Sequence, residues 1–164
     1  RKIHKMMVKY IDKFALEEIT VVREVTENDL NGLLHLYEQL HNSKVTINPD
    51  ELLKLWNQIM QDKNHHIIVV EEDGKIVSSC VCVIVANLTR NVRPYAWIEN
   101  VVTHESYRGR GYASQCLEYA KMVAEQSGCY KIMLMTGSKR AETLHFYEQA
   151  GYNSRDKTAF IRWL

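Results

Sequence analysis

The fold is decided by one stretch of the sequence, residues 97–118, which read WIENVVTHESYRGRGYASQCLE. Residues 95–102 are rich in β-branched and aromatic side chains and contain no glycine, so they predict a β-strand. Apolar residues then recur at the spacing of one helix face, which predicts a helix after the strand. These residues are Ala113, Cys116, Leu117, Ala120 and Val123. The strand and the helix are joined by a loop that contains RGRG at residues 108–111.

A glycine-bearing loop that opens a helix predicts an anion site. The first N–H groups of a helix have no partner within it, and the helix dipole is positive at that end. Phosphate or pyrophosphate is the simplest ligand, and Arg108 and Arg110 add positive charge. A Walker P-loop fails because no Gly-Lys-Ser/Thr follows. A dinucleotide fingerprint comes nearer but lacks the acidic residue after the next strand. An ordinary capped loop also stays open at this point.

Two motifs resemble the GNAT superfamily of N-acetyltransferases. Arg108-x-x-Gly111-x-Ala113 matches the R/Q-x-x-G-x-G/A signature of that family, after a predicted strand and at the start of a predicted helix. The run FYEQAGY at residues 146–152 is similar to the family's C-terminal F/Y-x-x-x-G-F/Y block. The resemblance covers about residues 19–164. It implies acetyl-CoA as co-substrate, with the pyrophosphate on the glycine loop.

The patterns along the chain predict the order β-α-α-β-β-β-α-β-α-β, an α/β (mixed α+β) arrangement. Strands are expected at residues 19–25, 65–70, 75–88, 95–102, 130–135 and 158–164. The first two helices are expected to begin after Thr26 and Asn48, and the last to span residues 140–149. This order is that of the GNAT fold. The resemblance implies a single mixed, mostly antiparallel sheet with helices on both faces.

Two units are expected: a helical N-terminal extension at residues 1–18 and an N-acetyltransferase domain at residues 19–164. Within the extension, residues 3–14 carry apolar side chains at helical spacing, with lysines elsewhere. A basic amphipathic helix binds a membrane surface or a protein. We favour docking on its own domain or on a second subunit, which leaves a homodimer as one expectation.

Length and composition limit the functional classes. A chain of 164 residues fits one domain, and its formal net charge of +1 gives no argument for a nucleic-acid partner. No apolar run approaches the ~20 residues of a membrane span. The 4 cysteines form no C-x-x-C pair and no metal-ligand spacing with histidine. A reduced, cytoplasmic protein without a metal is therefore expected.

Two residues are candidates for catalysis. An amine with a pKa near that of lysine is over three units from neutral at pH 7, which costs ~4–5 kcal/mol unless a base helps. Glu99 interrupts an apolar strand, where a carboxylate is costly unless it faces a cleft or a partner. GNAT enzymes often carry an acid there, so the resemblance implies a base; structural pairing with a neighbouring strand is the alternative. Tyr147 matches the tyrosine that protonates the departing thiolate in many relatives, although by itself it reads as a core aromatic.

The resemblance also implies the cofactor-binding residues. Main-chain N–H groups of Val101, Val102 and Thr103 would polarise the thioester and bind the pantetheine arm. The loop and the helix start would hold the pyrophosphate through Arg108, Gly109, Arg110, Gly111, Tyr112, Ala113 and Ser114. Asn100 points to the opposite side of an ideal strand, so we expect a structural role unless a bulge re-aims it.

The implied activity is direct transfer of the acetyl group from acetyl-CoA to a primary amine of a small molecule. A module that senses acyl-CoA without turnover is the alternative from another class. Residues 98–102 and 128–132 are similar to the glucosamine-6-phosphate N-acetyltransferases, whereas residues 135–139 depart from their pattern. The acceptor therefore stays open between an unspecified small amine, an amino-sugar phosphate and a peptide amine.

Overall fold

The structure, a computed structural model, describes residues 20–40 and 48–164, so the expected extension at residues 1–18 lies outside the described part. Its centre is a five-stranded sheet with the strand order β1-β2-β3-β4-β5. The strands are β1 (Thr20–Glu24), β2 (His65–Glu72), β3 (Lys75–Val85), β4 (Tyr95–Thr103) and β5 (Ile132–Leu134). Neighbouring strands are antiparallel except β4 and β5, which run parallel.

Within the described residues, four helices accompany the sheet: α1 (Leu30–Tyr37), α2 (Pro49–Gln61), α3 (Tyr112–Gln126) and α4 (Ala141–Gln149). Shorter turns lie at Glu27–Asp29, Thr89–Val92 and Glu105–Tyr107. The start of α2 follows from its sequence, because the Asn48 side chain accepts a hydrogen bond from the N–H of Asp50. Pro49 occupies the first turn, where a missing N–H costs nothing.

The β2–β3 hairpin forms the middle of the sheet. Its turn residues Asp73 and Gly74 have φ angles of 50° and 76°, the left-handed conformation that two-residue hairpin turns need. Along β2 every residue from 67 to 70 is buried. A strand buried on both faces requires helices on both sides of the sheet.

Two apolar clusters lie on the two faces. On one face, Leu33 of α1 and Trp56 of α2 pack with Ile67, Val69 and Val81. On the other, the apolar side of α3 packs against alternate residues of the same strands. That cluster includes Cys116, Leu117, Ala120, Ile68 and Val70. The predicted mixed sheet with helices on both faces is thus confirmed.

The structure corrects the last strand of the predicted order. Residues 158–164 form no strand, and Phe160 and Trp163 are 92% and 87% exposed. An apolar pattern yields a strand only where the backbone finds a ladder partner. The nearest strand in sequence, β5, has only 3 residues and is shorter than the predicted 130–135.

Candidate active site

The sheet opens beside β4. Pairing of β4 with β5 ends at Ile98, opposite Leu134, although β4 continues to Thr103. Over residues 99–103, the described part of the chain supplies a partner strand on the β3 side alone. A strand without a neighbour presents unpaired N–H and C=O groups. This free edge of β4, residues 99–103, can therefore bind an extended ligand through main-chain hydrogen bonds.

A β-bulge lies within the free edge. Val81 of β3 pairs with Glu99 and Ser79 pairs with Val102, so Asn100 and Val101 together oppose Cys80 alone. Asn100 has a φ of 50°, a conformation that asparagine tolerates better than most residues.

The bulge changes which side chains are buried. Ile98 is buried, and strict alternation would bury Asn100 as well, yet Asn100 is exposed. The bulge has therefore turned the Asn100 side chain away from the core. We expected a structural role for Asn100 unless a bulge re-aimed it, and the structure contains that bulge.

The glycine loop follows the free edge. Gly109 and Gly111 have φ angles of 77° and 79°, and α3 begins directly after the second glycine. A Cβ atom added to either glycine would meet no atom within 4 Å. Glycine is therefore favoured here by the positive φ of the backbone and not by a lack of space. Arg108 ties the loop to β4, because its Nε donates to the Thr103 carbonyl oxygen at 3.2 Å.

One cleft of about 330 Å³ joins the free edge, the loop and α4. Most of the residues proposed from the sequence line it: Val101, Val102, Thr103, Arg108, Gly109, Gly111, Tyr112, Ala113, Ser114 and Tyr147. Three further lining residues, Tyr107, Thr143 and Phe146, were missed by the sequence reasoning. Tyr107 adjoins Arg108 in the chain and Phe146 adjoins Tyr147, but no signal marked Thr143.

Arg110 differs from its expected place, since it does not line the cleft. Its Nη1 donates to Glu72 Oε1 at 2.9 Å, and its guanidinium carbon lies 5.0 Å from the centre of the Tyr107 ring. Glu72, at the end of β2, is 3% exposed and also accepts a hydrogen bond from the Tyr112 hydroxyl. The sequence reasoning did not identify Glu72. The sequence marks it only as an acidic residue at the end of an apolar strand. This carboxylate holds both the loop and the first residue of α3.

The two proposed catalytic residues lie toward opposite faces of the sheet. Glu99 opposes Val81, which packs with α1 and α2, and its exposed carboxylate accepts a hydrogen bond from Trp97 Nε1. Tyr147 instead packs beside the α3 cluster and lines the cleft. The structure therefore does not bring the two side chains into one cluster.

Tyr147 lies in a small aromatic cluster beside the cleft. Its ring contacts Phe146 and Tyr152, with ring centres 5.0 Å and 6.2 Å away. Burial raises the pKa of the Tyr147 hydroxyl above its ordinary value, which already lies well above neutral pH, so the hydroxyl carries its proton at pH 7. Within residues 20–40 and 48–164 the Tyr147 hydroxyl has no hydrogen-bond partner. The proton is therefore available to a ligand in the cleft.

One cleft thus brings together a free strand edge, a glycine loop that opens a helix and a tyrosine hydroxyl, the three features that the family resemblance implied. The chain belongs to the acetyltransferase (GNAT) family, whose sequence model matches residues 30–152. The family prediction is thus confirmed, and with it the class of enzyme, an acetyl-CoA-dependent N-acetyltransferase.

Known proteins are similar to most of this chain. A putative acetyltransferase from Agrobacterium tumefaciens has 38% identity and a TM-score of 0.81, covering 87% of this chain and 99% of that one. The glucosamine-6-phosphate N-acetyltransferase from Arabidopsis thaliana has 25% identity and a TM-score of 0.78, covering 89% and 99%. Glucosamine 6-phosphate N-acetyltransferase 1 of Dictyostelium discoideum is 25% identical over 127 residues, 76% of this chain and 78% of that protein.

Residues 20–40 and 48–164 contain neither a membrane-spanning helix nor a cluster of metal ligands. None of their helices is long and apolar enough to cross a membrane. No group of three or more His, Cys, Asp or Glu side chains among them could hold a metal ion.

Proposed function

We propose that the enzyme transfers the acetyl group of acetyl-CoA directly to a primary amine of a small molecule. In this proposal Glu99 accepts a proton from the amine and Tyr147 donates a proton to the departing sulfur. The observation that carries the proposal is the single cleft that joins the free edge of β4, the glycine loop and Tyr147. A sensor module without turnover would not need a protonated, unpartnered tyrosine hydroxyl beside the cofactor site.

The cofactor site follows from the two backbone features. The N–H groups at residues 109–113 bind the pyrophosphate, aided by the dipole of α3, which begins at Tyr112. Arg108 adds charge at the edge of the same cleft. The pantetheine arm runs along the free edge, where Val101 and Thr103 offer main-chain groups. Bound in this way, the cofactor supplies an activated acetyl thioester.

The residues around the free edge then promote transfer. N–H groups of residues 101–103 stabilise the negative charge that develops on the thioester oxygen. The amine nitrogen bonds to the acetyl carbon as the carbon–sulfur bond breaks. Glu99 takes the amine proton, directly or through water, and Tyr147 gives its proton to the sulfur. Their placement on opposite faces supports this division, because the amine can approach from the α1 side while the thiolate leaves beside α4.

The acceptor is the finer part of the proposal. The Dictyostelium and Arabidopsis relatives are named for glucosamine 6-phosphate, so an amino-sugar phosphate is the first acceptor to test. A general small amine and a peptide amine are the other classes. A panel of these amines, assayed by release of free CoA thiol, distinguishes them. Tight acetyl-CoA binding with no thiol release across the whole panel would refute turnover and favour the sensor.

The role of Tyr147 is tested by Tyr147→Phe. The variant keeps the ring and its packing, so we expect kcat to fall about 10²–10³-fold with little change in KM for acetyl-CoA. Tyr152→Phe is the matched control, because Tyr152 contacts Tyr147 edge to face but does not line the cleft. Equal effects of the two substitutions would show that the Tyr147 hydroxyl has only a packing role.

We also propose a cytoplasmic setting and a homodimer. The four cysteines are free, and Cys80, Cys82 and Cys116 are fully buried, which supports a reducing compartment. For the homodimer, the exposed apolar side chains Phe160 and Trp163 offer one surface for association. Sedimentation equilibrium tests it, and a monomer at high concentration would refute it.

A further inference from the structure

A buried carboxylate lies beside the glycine loop. Glu72 is the last residue of β2 and is 3% exposed. Successive residues of a strand face opposite sides of the sheet, so Glu72 lies on the face of Ile68 and Val70, which belong to the α3 cluster. Burying a carboxylate is costly unless it is paired and hydrogen-bonded. An apolar side chain would fill this position without that cost, so the carboxylate requires an explanation.

The hydrogen-bond donors to Glu72 come from the glycine loop and from the helix that follows it. Arg110 Nη1 donates to Glu72 Oε1 at 2.9 Å, and the Tyr112 hydroxyl donates to Glu72 Oε2. Arg110 and Tyr112 stand on either side of Gly111, whose φ of 79° lies in the left-handed region. One carboxylate therefore holds the chain on both sides of the residue with the most freedom to move.

The same contacts direct the Arg110 side chain away from the cleft. Its guanidinium group bonds to Glu72 and lies 5.0 Å from the centre of the Tyr107 ring, whereas Arg110 is not among the residues that line the cleft. An arginine that bound a pyrophosphate directly would point its guanidinium at the oxygen atoms of the ligand. Arg110 instead connects the loop to the end of β2 and to the turn that contains Tyr107.

The Glu72 carboxylate has two opposing effects on a bound anion. A loop with two glycines loses much conformational entropy when a ligand orders it, and contacts that order the loop beforehand remove this cost. Against this, a negative charge near the start of α3 repels a phosphate group. The salt bridge to Arg110 pairs that charge with a positive one, so the repulsion largely cancels. The ordering effect is therefore the larger of the two.

We propose that Glu72 is a positioning residue for the cofactor: through Arg110 and Tyr112 it holds the N–H groups of residues 109–113 in their binding arrangement before acetyl-CoA arrives. Arg110 is then a second positioning residue, and its guanidinium group is not a ligand of the pyrophosphate. This inference rests on the proposed function, because it assumes that the pyrophosphate binds these N–H groups.

The sign of the change in CoA affinity in Glu72→Gln tests the proposal. Glutamine keeps the size of the side chain and one accepting oxygen, so one of the two donors loses its acceptor while the core stays filled. The positioning role predicts that Kd for CoA, measured by titration calorimetry, rises about 3- to 30-fold. An Arg110 that bound the pyrophosphate directly predicts a lower Kd, because the variant removes the negative charge that faces it. At saturating acetyl-CoA, kcat should change little.

Glu71→Gln is the matched control. Glu71 is the neighbouring residue of β2, and its carboxylate accepts hydrogen bonds from Arg23 at 3.1 Å and 2.5 Å. This variant removes the same charge from the same strand without touching the glycine loop. Kd for CoA should therefore stay at the value of the unaltered protein.

Amide hydrogen exchange in the absence of ligand gives a readout that a packing role would not move. It reports local opening of the backbone at residues 109–113. We expect these amides to exchange faster in Glu72→Gln and in Tyr112→Phe, with the amides of β3 unchanged. Tyr112→Phe keeps the buried ring and removes one hydrogen bond, so it tests the same contact if Glu72→Gln does not fold. Adding CoA to the unaltered protein should slow exchange of the same amides.

The outcomes distinguish this inference from the proposed function. If CoA slows exchange at residues 109–113 but Glu72→Gln and Tyr112→Phe change neither that exchange nor Kd, the positioning role is overturned and the cofactor site stands. A lower Kd in Glu72→Gln overturns it in favour of a direct role for Arg110. If CoA binds without slowing exchange at these amides, the proposed pyrophosphate site is wrong, and the positioning role fails with it. Equal losses of affinity in Glu72→Gln and Glu71→Gln would assign the effect to general loosening of β2, and would also overturn it.

Discussion

Replacing Gly111 by alanine tests the anion site at its centre. Gly111 precedes α3 with a φ of 79°, and an added Cβ atom would stand in open space beside the cleft. No protein atom has to move, so the cost to the fold is only that of placing alanine in the left-handed region, about 1–2 kcal/mol. For a domain of this length that corresponds to a Tm lower by about 2–8 °C.

The cost to cofactor binding is separate. In the proposed binding mode, a methyl group at Gly111 keeps the pyrophosphate from the N–H groups that begin α3. Losing one hydrogen bond to a charged group costs about 1.5–3 kcal/mol, so Kd for CoA should rise about 10- to 150-fold. Titration calorimetry with CoA, on protein shown to be folded by circular dichroism, measures this change.

Gly128→Ala is the control for backbone strain. Gly128 follows the other end of α3, has a φ of 71°, and also has no atom within 4 Å of an added Cβ. It should show a similar fall in Tm with an unchanged Kd for CoA. If the two variants bind CoA equally well, the glycine loop does not hold the pyrophosphate and the reasoning fails.

Two other perturbations test the proposed base and the acid stability of the fold. Glu99→Gln should lower kcat and flatten the acidic limb of the pH–rate profile without changing acetyl-CoA affinity; an unaltered profile would return Glu99 to a structural role. Arg23 donates two hydrogen bonds to Asp29, at 2.7 Å and 2.9 Å, which lower the Asp29 pKa from 3.8 to about 2. Because the folded-state pKa is depressed, this stabilisation is complete above pH ~4 and is lost as the pH falls toward 2. Asp29→Asn should cost about 1 kcal/mol at pH 7, after allowance for solvent screening, and urea unfolding should show the difference vanishing near pH 2; a pH-independent difference would contradict it.

The sequence predicted most of the residues that line the cleft because this part of the site is local. The free edge, the loop and the start of α3 come from one continuous run, and the loop's chemistry depends on backbone N–H groups that two glycines expose. Local residue spacing was therefore nearly sufficient to predict the loop, the end of the strand and the start of α3. The order of strands and helices was predictable for the same reason, since each element has its own periodicity and turn residues.

What the sequence could not show depends on pairing between distant elements. The bulge at Asn100 exists because of the register of β3 against β4, and one extra residue in a strand leaves no mark in composition. The burial of Glu72 depends on hydrogen bonds from Tyr112 and Arg110, which are distant from it in the sequence. The prediction of a strand at residues 158–164 was wrong for the same reason, because an apolar pattern does not show whether the backbone has a strand to pair with.

The free edge of β4 has a consequence for solubility. An unpaired strand normally invites pairing with another molecule, and proteins protect such edges with charges, prolines or a covering element. Here the unpaired stretch begins inside the sheet, where β4 and β5 part at Ile98, and not along its outer border. A foreign strand would have to enter a notch lined by Phe146 and Tyr147 of α4 on one side and by the loop on the other. The notch therefore leaves the unpaired main-chain groups accessible to a slender ligand but not to the strand of a neighbouring polypeptide.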